Sequence, residues 1–72
     1  MPKSTVINNQ NPIVHYKAYI AANEFSAAFD CAYGKSSQSA LAQVKRQNSP
    51  DWIDCYCWCV AILQDGQQMP LF

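Results

Sequence analysis

The sequence predicts a two-layer α+β sandwich: strand, strand, helix, strand, with an antiparallel sheet in the order 2-1-3 and one helix on one face. Three observations predict it. Two alternating runs, residues 13–22 and 25–33, flank the turn-forming pair Asn23-Glu24. A stretch opened by serines then carries apolar residues at helical spacing. Last, residues 51–63 (D-W-I-D-C-Y-C-W-C-V-A-I-L) form the densest run of aromatic, β-branched and cysteine residues in the chain.

The chain has 72 residues, enough for one small domain with one modest core. Residues 1–12 read as a polar leader rather than a signal peptide, and residues 13–72 as the domain. Asn11-Pro12 marks a turn, and Thr5-Val6-Ile7 could supply a short edge pairing. No apolar run is long enough to span a bilayer, so a cytoplasmic protein is expected.

In the first strand, Val14, Tyr16, Ala18, Ile20 and Ala22 share one face; His15, Lys17 and Tyr19 share the other. In the second, Phe25, Ala27, Phe29, Cys31 and Tyr33 share a face. A hairpin centred on Asn23-Glu24 matches the two apolar faces and sets Lys17 opposite Asp30. Ser36 or Ser37 is expected to cap a helix running to about Gln47. Its stripe is Ser37, Ala40, Leu41 and Val44, with Leu41 the main anchor. Lys45 and Arg46 suit its C-terminal end, and Asn48-Ser49-Pro50 stops it.

The third strand, residues 51–63, alternates strongly. Ile53, Cys55, Cys57, Cys59, Ala61 and Leu63 are expected to lie beneath the helix, with the strand thiols buried. Trp52, Asp54, Tyr56, Trp58, Val60 and Ile62 face the other way. Gln64-Asp65-Gly66-Gln67 is a turn, and residues 68–72 have room to return as a short edge strand, limited to an edge by Pro70.

Lys plus Arg and Asp plus Glu each number 5, giving a formal net charge of zero. That argues against a dedicated duplex-DNA binder, which needs a basic face. Sparse charge with high apolar content suits a protein with a partner that covers it, or one that forms a homodimer.

No motif carries catalysis or a cofactor. Cys55-x-Cys57-x-Cys59 puts thiols roughly 6–7 Å apart along a strand, all pointing one way. Tetrahedral zinc needs four ligands converging at about 2.3 Å, so these read as free thiols and not as a metal site. His15 falls on the face opposite them, which separates it from any thiol nucleophile. Tyr33-Gly34-Lys35-Ser36 lies between strand and helix but lacks the first glycine of a phosphate-binding loop. Asp30, Lys17, His15 and Asp54 on one face read as a salt-bridge row rather than an acid–base pair. The expected protein is not an enzyme.

The outer aromatics Tyr19, Trp52, Tyr56 and Trp58, with Lys17 beside them, are the candidate contact surface; Lys35, Lys45 and Arg46 on the helix side are the alternative. Aromatics of this kind also stack single-stranded bases, so a small nucleic-acid-binding module is the competing function.

A strand hairpin, a helix opening S-x-x-S-A-L-A-x-V (residues 36–44) and a following strand resemble small phage-encoded inhibitors, type I anti-CRISPR proteins among them. The resemblance covers residues 13–63 and rests on element order and size. It implies a non-enzymatic inhibitor that docks on a host CRISPR–Cas-type defence complex, a protein or ribonucleoprotein, and blocks it.

Overall fold

Strand β1 (Ile13–Ala21) is central. It is followed by β2 (Ala28–Gly34), the helix α1 (Ser37–Gln47), a 3₁₀ turn (Asp51–Asp54), β3 (Tyr56–Leu63) and β4 (Gln68–Pro70). The computed structural model describes residues 11–71. The expected leader, Thr5-Val6-Ile7 and Phe72 therefore lie wholly or mainly outside the described residues. The four strands form one antiparallel sheet in the order β2-β1-β3-β4, with α1 packed on one face over β2, β1 and part of β3. This is the α+β sandwich expected, with the C-terminal edge strand present.

The helix starts where Ser36 Oγ accepts from the Ser39 N–H at 3.1 Å, satisfying one of the free amides of the first turn. It ends at Asn48, whose side chain donates to the Val44 carbonyl at 2.8 Å. The fully buried core joins Ala40 and Val44 of the helix to Ala18, Ile20 and Cys59 of the sheet, with Ala32 nearly buried. Leu41, expected to be the main anchor, is only half-buried at the rim; Ala40 and Val44 hold the centre.

The β1–β2 register differs from the expected one. Lys17 pairs with Tyr33 and not with Asp30; Ala18 pairs with Ala32, and Ile20 with Asp30. The cause is local. Asn23 Oδ1 accepts from the Phe25 N–H at 2.8 Å and from Ser26 Oγ at 3.2 Å, and the Ser26 N–H donates to the Asn23 carbonyl. That side-chain turn takes residues 25–27 out of the ladder, so β2 starts late. An odd slip exchanges the two faces of a strand. Phe29, Cys31 and Tyr33 therefore turn away from the helix, while Asp30, Ala32 and Gly34 turn toward it. Small residues are what α1 needs there: a Cβ added to Gly34 would stand 2.5 Å from the Ala40 nitrogen.

The third strand begins at Tyr56, because residues 51–54 coil into the 3₁₀ turn just after Pro50. The Trp52 N–H donates to the Asn48 carbonyl and the Trp52 carbonyl accepts from the Cys55 N–H, both at 3.0 Å. From Tyr56 onward the expected alternation holds: Cys57, Cys59 and Ala61 share the helix side, and Tyr56, Trp58, Val60 and Ile62 the other. The four thiols are free. Only Cys59 is fully buried; Cys55 and Cys57 are half-buried, and Cys31 lies across the sheet from them, contrary to the expected shared face. Ile53, expected under the helix, is 68% exposed in the 3₁₀ turn.

Candidate functional site

No described helix or strand packs over the face of the sheet opposite α1, although Ala21, Val60 and Ile62 on it are buried. Its residues follow from register alone. Across β2, β1 and β3 run the rows Tyr33–Lys17–Val60 and Cys31–Tyr19–Trp58, with Tyr56 beside Ala21 at one end and His15 beside Ile62 at the other. The second row is the centre. Tyr19 and Trp58 are direct cross-strand partners, and their rings stack with centroids 5.2 Å apart and planes 22° from parallel. Tyr56 extends the cluster, 5.5 Å from Trp58 and tilted by 34°. The Tyr19 hydroxyl donates to Gln68 Oε1 at 3.1 Å, tying the cluster to β4.

Lys17 bridges the two rows. Its Nζ lies 4.8 Å from the Tyr19 ring centre and 5.3 Å from that of Tyr33. A cation over the negative face of an aromatic ring is attracted to it. The Tyr19 side chain first, and Tyr33 second, favour the charged form and raise the Lys17 pKa above its ordinary value. The lysine is charged throughout the physiological range. His15 meets Tyr33 edge-on at 5.3 Å. Beside Tyr19, an open hollow of about 320 Å³ is lined by Ala28, Phe29, Asp30 and Cys31.

Of the expected surface residues, the structure brings Tyr19, Tyr56, Trp58 and Lys17 together and leaves Trp52 and Asp54 out. Trp52 packs on the edge of the helix-side core, with Lys45 Nζ 4.7 Å from its ring centre. Asp30, expected to join Lys17, is on the helix side, bonded to Asn48 and Gln47. Those bonds are the physical cause of its lowered pKa: Asn48 first, then the Cys31 N–H, then Gln47. Of the helix-side cations, Lys45 lies over Trp52, Arg46 donates to Gln43 Oε1 at 2.7 Å, and Lys35 is exposed in the β2–α1 connection.

Phe29, Cys31 and Tyr33 belong to the face opposite α1 and the expected surface lacked them, while His15 lies on it as its strand alternation predicts. Asn23 was the signal that could have found the β2 residues, since an asparagine before Phe25-Ser26 is suited to a side-chain turn. Burial raises the Cys57 and Cys59 pKa values, so neither thiol is tuned as a nucleophile. Among the described residues no three metal-ligating side chains converge, and no helix is long and apolar enough to cross a membrane. Comparison with family models, curated proteins and solved structures found no match to this chain.

Proposed function

We propose that this protein is a non-enzymatic binding module that docks on a protein partner through the sheet face opposite α1, and that it acts as a phage-type inhibitor of a CRISPR–Cas-type defence complex. The observation that carries the docking reading is the Tyr19–Trp58–Tyr56 cluster with Lys17 on a face over which no described element packs. Such aromatics bury much area while immobilising few torsions, so a few of them can dominate an interface. The inhibitor reading rests on the resemblance in element order and size.

Protein is favoured over single-stranded nucleic acid on two grounds. Base stacking needs a free ring face, and Tyr19 and Trp58 spend one face each on the other. Nucleic acid also needs cations flanking the stack, and Lys17 is the one permanent cation on the described face.

The test is phage plating on a host with an active type I CRISPR–Cas system, with and without this protein. Restored plating is expected, and Trp58→Ala should abolish it while weakening partner binding by at least ~2 kcal/mol. Unchanged plating with folded protein present would reject the inhibitor reading. Salt-sensitive binding to single-stranded oligonucleotides by the wild type, lost in Trp58→Ala, would put the nucleic-acid module in its place.

A further inference from the structure

Residues in an antiparallel strand turn their N–H and C=O groups alternately toward one neighbour and the other. The Leu71 N–H donates to the Cys59 carbonyl, so Cys59 faces β4. Trp58 then faces β1, where it meets Tyr19, and Tyr19 uses its ladder groups on β3. Its partner on the other side, Cys31, must point its N–H and C=O away from β1, toward the free edge of β2. Phe29 and Tyr33 share that direction by the same alternation.

Among the described residues no strand pairs with this edge. It carries neither proline nor lysine, the residues that most often protect an edge. Phe29 and Tyr33 are 58% and 55% exposed. Yet both Cys31 ladder groups are occupied. Its N–H donates to Asp30 Oδ1 at 2.9 Å, and its carbonyl accepts from Gln47 Nε2 at 3.3 Å. Gln47 Nε2 and Asn48 Nδ2 also donate to Asp30 Oδ2, at 3.1 and 2.9 Å. One carboxylate thus holds its own strand's amide with one oxygen and the helix end with the other.

We propose that Asp30 and Gln47 are a plug that keeps two copies of this chain from joining β2 to β2, and that a second copy pairs there once the plug is removed. The strand is suited to self-pairing about a two-fold axis through Cys31. Phe29 would lie opposite Tyr33 of the second copy, an aromatic pair made twice, with that Tyr33 entering the hollow beside Phe29. Asp30 would lie opposite Ala32 of the second copy, so no like charges meet. With the plug in place, the central pair of hydrogen bonds in that junction cannot form.

The experiment is sedimentation velocity over a concentration series. Wild type is expected to be monomeric. Asp30→Ala/Gln47→Ala should self-associate at least about ten-fold more tightly, and adding Phe29→Lys should return it to monomer. A double variant with a native circular-dichroism spectrum that stays monomeric overturns the proposal. So does a wild-type dimer that Phe29→Lys dissolves, since the edge would then be open with its plug intact. If that double variant fails to fold, Asp30→Asn/Gln47→Ala, which keeps the size of the strand side chain while weakening its hold on the Cys31 N–H and freeing the Cys31 carbonyl, carries the test, and a folded, unchanged monomer there overturns the proposal.

Discussion

Gly34 lies so close beneath Ala40 that a Cβ on it would stand 2.5 Å from the Ala40 nitrogen and 2.9 Å from its Cα. Both contacts are backbone, which cannot turn aside as a side-chain tip can. Gly34→Ala is therefore expected to push α1 off the sheet at a cost of about 1–3 kcal/mol. Urea denaturation checks it. An unchanged midpoint would mean that the helix can lift without loss.

Val44 and Leu41 rank the helix's hold on the sheet. Val44 is fully buried, and Leu41 lies at the rim. Val44→Ala should cost about 2 kcal/mol, from lost transfer energy plus a cavity. Leu41→Ala should cost less, because its side chain is already partly in water. Thermal unfolding of the two variants gives the order, and the reverse order would place the centre of the core at Leu41.

The Tyr19–Trp58 stack should be measurable without any partner. A double-mutant cycle with Tyr19→Ala and Trp58→Ala is expected to give a coupling of about 0.5–1.5 kcal/mol, the range for aromatic pairs beyond area burial. Both variants should keep the native circular-dichroism spectrum, since α1 packs on the other side. Zero coupling would mean that the rings do not stack in solution.

Asp30 ties stability to acid. Its folded pKa lies below the ordinary 3.8, chiefly through Asn48. A carboxylate of that kind stabilises the fold above its unfolded pKa, and the contribution fades as pH falls through the lower folded value. Wild type should therefore be more stable than Asp30→Asn at neutral pH, and the difference should shrink below pH 3.8. Denaturation of both proteins across that range checks the sign. A gap that widens in acid would show that the charged form is not the bonded one.

The sequence made some of this architecture legible and hid the rest for definite reasons. The Ser36 cap, the C-terminal stop at Asn48, the Gln64–Gln67 turn and the alternation from Tyr56 onward are local signals, each readable within a few residues. Gly66 accepts a φ of +94° in that turn, a conformation glycine tolerates best. The β2 register was hidden because both faces of residues 25–33 contain apolar residues, so two registers satisfy the pattern. The Asn23 side-chain turn and the close approach of Gly34 to Ala40 decide between them, and the second of these exists only after folding. Trp52-Ile53 has strong strand propensity, yet the Asn48 carbonyl takes the Trp52 N–H and turns the segment into a coil. The β1 and β3 share of the face opposite α1, Tyr19, Tyr56 and Trp58 with Lys17 and His15, was readable from alternation; the β2 contribution was lost with the register.

The central place of β1 sets an order of events in folding. One of its neighbours, β2, follows it directly in the chain, while the other, β3, comes only after α1. Closing the β1–β3 ladder encloses the hairpin and the helix in one long loop, whose entropy cost falls before its contacts can offset it. We expect the hairpin and α1 to form early and β3 to dock in the rate-limiting step. In a Trp52→Phe background, stopped-flow fluorescence would then report Trp58 changing with the main phase; a change completed in the dead time would contradict this. Cys59, sealed between β1 and α1 in the finished protein, is thus the last part of the core to leave water. The same delay leaves the β3 side of β1 bare, so the interval before β3 arrives is when a chain this rich in aromatics is most exposed to meeting another chain instead of its own third strand.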